Sequence, residues 1–281
     1  MHETIAVIFD FDDTLAPDST SGLLKSLGAD PEAFWRHEVE PLMDSGWDPA
    51  LAYLHRIIAK SKAREIGPIT QETLFEWGKQ LPLHPGAQTI FTRLRSRVRE
   101  VNPRVAVEFY LISSGIGDIL RHTPIASEFN DIWASEFDYD AHGHIHFPKR
   151  VVSFTDKTRY IFQVQKGIFG PSYLGKPFEV NRKFKPEQLR IPIPQMIFVG
   201  DGYTDIPCFS LITKQDGVAI GVYDRDKRER WGRAWGFIED QRVNNLAAAD
   251  YSDRSGLTDS LFMAVESLAR RIDVQSRTYQ G

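Results

Sequence analysis

The sequence predicts an α/β protein: a parallel sheet covered by helices, with a small all-helical segment inserted after the first strand. Three observations predict it. Short β-rich runs recur along the chain, each is followed by Gly, Ser or Asp and then by a helix-like segment, and residues 18–83 break that alternation with helical periodicity alone. At 281 residues and 42% hydrophobic content, the chain can bury one large core with a smaller unit attached.

The strand candidates are AVIFD (6–10), VAVEFYLIS (105–113), DIWASEF (131–137), QMIFVGD (195–201) and GVAIGV (217–222). Helices are expected at 85–98, 156–167 and 258–272. The last of these carries Leu261, Val265, Leu268 and Ile272 at helical spacing, which predicts packing on the sheet. The inserted segment contains PEAFWRHEVEPLMDS and PALAYLHRIIAKSKAREI and no convincing strand. Residues 169–194, rich in Pro, Gly and Lys, read as a long ordered excursion.

Composition excludes several classes. A net charge of -4 argues against a general nucleic-acid binder. The basic stretch RDKRERWGR (225–233) has helical charge spacing and reads as a solvated helix face rather than a phosphate-binding patch. No run approaches the roughly 18 apolar residues that span a bilayer, and MHETIAVIF lacks the features of a secretory leader, so a cytoplasmic location without a membrane partner is expected. The single cysteine, Cys208, allows no internal disulfide and sits in an apolar context that predicts a core residue. His142, His144 and His146 read as a surface hairpin turned at Gly143 rather than a metal site.

The chemistry gathers at strand ends, where open α/β sheets bind their ligands. AVIFDFDDT puts Asp10 and Asp12 on one side of an extended segment, and carboxylates that close repel unless a cation or a proton intervenes. Magnesium, which prefers hard oxygen ligands, would relieve that repulsion. VGDGYTD repeats the arrangement with Asp201 and Asp205 flanking a turn. LISSG (111–115) brings hydroxyls and a glycine to a further strand end, suited to holding phosphate oxygens, and Lys157 adds a positive charge at a helix start.

These four elements, Asp10-Phe11-Asp12-Asp13-Thr14, Ser113, Lys157 and Gly200-Asp201-Gly202-Tyr203-Thr204-Asp205, occur in the order that resembles the haloacid dehalogenase (HAD) superfamily. The resemblance implies a Rossmann-like core over 1–17 and 84–281 and a helical cap over 18–83, similar to the phosphoserine phosphatase-like subgroup. It further implies a phosphatase in which Asp10 attacks phosphorus, Asp12 serves as acid and base, and Ser113 and Lys157 hold the phosphoryl group. Mg2+ would be held by Asp10, the backbone carbonyl of Asp12 and Asp201, with Asp205 orienting a water or Lys157. Thr14 would stabilise the loop. Ser114 competes with Ser113, and Lys166 with Lys157. The acid at Asp12 points to phosphoryl transfer rather than carbon–halogen cleavage, since an alkoxide leaving group needs a proton.

The expected partner is a small phosphorylated substrate. Where that subgroup carries a Glu nine positions after the nucleophile, this chain has Ser19 beside Asp18, so phosphoserine is not the expected substrate. Arg36, His37 and Arg56 are candidates for binding a second anionic group, against the plainer reading of a solvated helix face. DYDAHGHIHF (138–147) also resembles the subgroup's hairpin. Phosphotransfer to an acceptor other than water, and a catalytically silent phosphate-binding module, remain alternatives.

Overall fold

The computed structural model describes residues 3–227 and 231–278. Strand order explains where the acids go. Seven strands form one sheet: β1 (Thr4–Phe9), β2 (Ala106–Ile116), β3 (Asp131–Tyr139), β4 (Ile145–Arg150), β5 (Met196–Gly200), β6 (Val218–Tyr223) and β7 (Asn245–Ala248), in the spatial order β4-β3-β2-β1-β5-β6-β7. All neighbours are parallel except β3 and β4, which form an antiparallel hairpin through Gly143. β1 is central, with β2 on one side and β5 on the other. Its C-terminal end, where Asp10 begins the loop, therefore lies between the ends of the two strands that carry Ser113 and Asp201.

β1 is buried on both faces, as its continuous apolar run requires. Ile5, Val7 and Phe9 face α6 (Ile90–Val101) and α11 (Gly256–Thr278), meeting Phe91, Leu94, Leu261 and Leu268. Ala6 and Ile8 face α8 (Lys157–Lys166) and α9 (Ile206–Lys214), meeting Ile161, Cys208 and Phe209. Phe9 sits 5.9 Å from Phe91 and 6.3 Å from Tyr251, both edge to face. Burying one such ring stabilises the fold by about 1.5–3 kcal/mol.

Between β1 and α6 lie α1 (Ser19–Ser26), α2 (Pro31–Ala33), a π-helical turn (Phe34–Val39), α3 (Glu40–Asp44), α4 (Pro49–Lys62) and α5 (Gln71–Gln80). Local sequence starts them cleanly. Asp18, Asp30 and Asp48 each accept a backbone N–H from the first turn that follows, and Pro31 and Pro49 occupy the first helical position, where a missing N–H costs nothing. Thr70 caps α5. The chain returns to the sheet through Gly86, at φ +75, where a Cβ would lie 2.2 Å from the Tyr251 carbonyl oxygen.

Several expectations are corrected. The helix expected from residue 85 starts at Ile90, after a turn that Gly86 requires. β7 adds a strand to the five expected, and β4 pairs with β3 in the hairpin expected at 138–147, turned at Gly143. Residues 169–194 hold short 3-10 turns (Pro171–Tyr173, Glu179–Asn181, Pro186–Gln188), stapled by Lys166 Nζ donating to the carbonyls of Val180 and Arg182. Of the basic stretch, Arg225 and Asp226 lie in a turn rather than the expected helix, Arg228, Glu229 and Arg230 lie outside the described residues, and 231–233 open α10 (Trp231–Glu239). No helix among the described residues is long and apolar enough to cross a membrane.

Candidate active site

The parallel register stacks three acids at one end of the sheet. Carboxylate oxygens of Asp10, Asp201 and Asp205 lie within 4.8 Å of one another. Asp10 leaves β1 with its N–H donated to the Val199 carbonyl at 2.8 Å, continuing the ladder one step and fixing the side chain's direction. Lys157, wholly buried at the start of α8, places its ammonium 3.0 Å from Asp10 Oδ2, 2.8 Å from Asp205 Oδ1 and 3.1 Å from Thr204 Oγ1. Asp205 Oδ2 also accepts the Gly202 N–H at 3.1 Å, so this carboxylate is occupied on both sides. Asp10 Oδ1 is buried and has no partner.

Electrostatics follow from burial. Desolvation, then the charge of Asp205, push the Asp10 carboxyl up to about 7 against the pull of Lys157. Burial likewise raises Asp201, with Asp205 and Asp10 adding repulsion. Burial works against a charged Lys157, but Asp10 and Asp205 outweigh it and hold the ammonium above its ordinary range. Three clustered carboxylates with one unpaired buried oxygen fit a hard divalent cation such as Mg2+, whose ligands are oxygens. They do not fit a soft thiophilic metal, because Cys208 is packed in the core and its thiol is pushed up by burial.

Asp12 stands apart from the cluster. Its Oδ1 accepts the Ser19 N–H at 2.6 Å, and burial followed by repulsion from Asp18 pushes its carboxyl up to about 8. Gly115 faces it: a Cβ there would lie 2.6 Å from Asp12 Oδ2 and 3.2 Å from Ser113 Oγ. Ser113 Oγ accepts the Gly115 N–H at 3.0 Å, which leaves its hydroxyl proton to donate elsewhere, and Ser114 Oγ has no partner. Both serines line the same cleft as Asp10, Asp12 and Asp201. Lys166 is held at the 169–194 excursion and takes no part.

The cleft encloses about 480 Å3. Its far wall comes from the inserted helices: Trp35, Met43, Pro49, Ala50 and Tyr53. Tyr53 Oη donates to the Ser114 carbonyl at 2.6 Å, tying α4 to the end of β2. Arg36, His37 and Arg56 do not line the cleft. Arg56 is paired with Glu38 at 2.7 Å, and Arg36 and His37 are exposed. The histidine hairpin gathers no metal cluster among the described residues. Sequence reasoning passed over Asp13, which takes a positive φ of 55 and pairs with Lys227, and the aromatic wall, whose helical spacing carries no signal beyond burial.

No protein-family profile matches the chain. An uncharacterized protein of Borreliella burgdorferi is 24% identical over 274 residues, covering 88% of this chain and 92% of its own. A HAD family hydrolase from Salmonella enterica serovar Typhi superposes with a TM-score of 0.57 over 94% of this chain and 71% of that one, at 12% identity. A phospho-aspartyl intermediate analogue of phosphoserine phosphatase superposes at 0.51 over 92% of this chain and 98% of that one, at 15% identity. This chain has a HAD fold. A probable phosphoserine phosphatase from Vibrio cholerae shares it, with a TM-score of 0.54, 10% identity, and coverage of 95% and 66%. In this chain the end of β1 and the helices inserted after it line one cleft, with Asp10 and Tyr53 among its residues.

Proposed function

We propose that the protein is a magnesium-dependent phosphomonoester hydrolase acting through an aspartyl-phosphate on Asp10. The observation that carries this reading is the unpartnered Asp10 Oδ1, set within 4.8 Å of Asp201 and Asp205 while Oδ2 is anchored 3.0 Å from Lys157. An anchored carboxylate with one free oxygen suits a nucleophile.

Asp10 attacks phosphorus in line as the bond to the leaving oxygen breaks, and Asp12 gives that oxygen its proton. Burial and the neighbouring Asp18 raise the Asp12 carboxyl, which favours the protonated form this step needs. Asp12 then takes a proton from the water that attacks the aspartyl-phosphate, freeing Asp10 and releasing phosphate. Ser113 and Ser114 hold the phosphoryl oxygens, and Lys157 supplies its positive charge from beneath Asp10. Asp10, Asp201 and the backbone carbonyl of Asp12 would hold Mg2+, with Asp205 steadying Lys157. The ion would neutralise charge on the transferring group and keep Asp10 ionised. Residues 18–83 act as a cap over a core of 1–17 and 84–281, excluding water during chemistry.

The test is phosphate release from p-nitrophenyl phosphate with and without Mg2+, for the native chain and Asp10→Asn. Magnesium-dependent turnover, reduced at least about a thousand-fold in the variant, is the expected result. Equal rates in the two proteins would remove Asp10 from the reaction.

A further inference from the structure

We propose that the alcohol half of the substrate is an uncharged apolar group, ring-bearing or branched, with no second anionic group. The proposal rests on the phosphatase reading above and concerns what the same cleft accepts beyond the phosphoryl group.

Three observations carry it. The cleft is larger than a phosphoryl group needs and falls in the range of small-molecule sites. Trp35, Met43 and Tyr53 from the helical insertion, with Phe154 and Tyr203 from the core, give it an apolar and aromatic wall. Trp35 and Tyr53 lie with ring centroids 5.7 Å apart, tilted at 54°, and Met43, Phe154 and Tyr203 are 40%, 40% and 62% exposed, so apolar surface faces the opening.

Charge argues the same way. Among the described residues, no Lys, Arg or His lines the cleft. Lys157 is paired with Asp10 and Asp205, Arg56 and Lys60 with Glu38, and Lys227 with Asp13, while Arg36 and Lys25 line a neighbouring cavity on the other side of Trp35 and Asp18 rather than this cleft. A substrate carboxylate or second phosphate would lose water against aromatic rings with no counter-charge to replace it. A cationic group gains little at Asp13, which has its lysine; at Asp18, which caps α1 through one oxygen, burial favours the uncharged carboxyl.

The test separates recognition from leaving-group chemistry. 2-Phenylethyl phosphate, glycerol 1-phosphate, 3-phosphoglycerate and phosphoserine all release ordinary alkyl alcohols, so differences in kcat/KM report the cleft. With Mg2+, 2-phenylethyl phosphate is expected to exceed each of the others by about ten-fold or more, the value of burying a phenyl group. Trp35→Ala should shrink its advantage over glycerol 1-phosphate about five-fold or more, and Met43→Arg, at a half-exposed site, should raise 3-phosphoglycerate relative to 2-phenylethyl phosphate. Equal or better turnover of 3-phosphoglycerate or phosphoserine by the native chain overturns the proposal. So does a ten-fold preference for choline phosphate over 3,3-dimethylbutyl phosphate, which share a shape and differ in charge.

Binding keeps this inference distinct from the catalytic reading. In calorimetry with Mg2+, 2-phenylethylphosphonate should bind at least about ten-fold tighter than 2-carboxyethylphosphonate. That result with no turnover of p-nitrophenyl phosphate would retain the cleft's selectivity and remove the hydrolase. Turnover of p-nitrophenyl phosphate with no preference between the phosphonates, or with neither bound, would do the reverse.

Discussion

Gly115 shows how little room there is beside Asp12. Its missing Cβ is replaced by Asp12 Oδ2 and Ser113 Oγ, at 2.6 and 3.2 Å from where it would stand. Gly115→Ala should therefore displace the Asp12 carboxylate, lowering kcat on p-nitrophenyl phosphate by about a hundred-fold, the scale of general acid–base catalysis. Stability should fall by only about 1–3 kcal/mol, as overpacking does; a variant with full activity would show that Asp12 is not needed at that position. Lys157 predicts the opposite balance. It compensates Asp10 and Asp205 in a fully buried site, so Lys157→Met should cost about 3 kcal/mol or more in urea denaturation, because carboxylates are left without their cation. At this scale the sequence was informative where chemistry demands odd residues: acids directly after an apolar strand at Asp10 and Asp201, or a lysine opening a helix. It was silent on the cleft roles of Trp35 and Tyr53, since an aromatic at helical spacing reads the same whether it meets a core or a cleft, and on those of Met43, Phe154 and Tyr203, which no local pattern marks.

Elements were legible in proportion to the regularity of their surroundings. β1, β5 and β6 are covered on both faces and announce themselves as β-branched runs. β7 is NLAA, four residues with no β-branched member, and is a strand only because β6 supplies a partner. β4 is IHFPKR, an edge strand carrying Pro148 and two cations, composition that suits an unpaired edge and disguises a strand. The relation between α4 and β2 was invisible for another reason: it is a single long-range bond, Tyr53 Oη to the Ser114 carbonyl, spanning 61 positions. Tyr53→Phe removes that donor while Ser135 Oγ still reaches the same carbonyl at 3.0 Å. The carbonyl is not orphaned, so the loss should stay near 1 kcal/mol in chemical denaturation. Since the bond joins the inserted helices to the strand end proposed to hold the phosphoryl group, KM should rise with it. A loss of several kcal/mol would mean that Tyr53 supports the fold through packing instead.

For the whole molecule, the cost of assembling this site is the burial of carboxylates, and that cost depends on pH. Asp10 is raised to about 7, Asp12 to about 8, and Asp201 upward as well, all from an ordinary value near 3.8. A carboxyl raised in the folded state binds protons more tightly there than in the unfolded chain. Stability of the metal-free protein must then fall as pH rises from about 4 towards 8, by an amount on the order of a few kcal/mol. Lys157 does not reverse this. Its raised ammonium contributes stability that is fully present below about 10 and is lost only above that. A divalent cation held by the deprotonated acids of the folded state would add stability by mass action, about 2.7 kcal/mol at a hundred times its Kd. Protons compete for the same oxygens, so the rise in Tm on adding millimolar Mg2+ should be small near pH 5 and large near pH 8. Asp201→Asn should reduce the rise near pH 8 while also easing the metal-free loss of stability, because one buried charge has been removed. Thermal scans of both proteins at the two pH values, with Mg2+ and with a chelator, make the comparison. A magnesium effect of the same size at both pH values would mean that the ion binds elsewhere, and that the acids gathered around β1 are held together by Lys157 and protons alone.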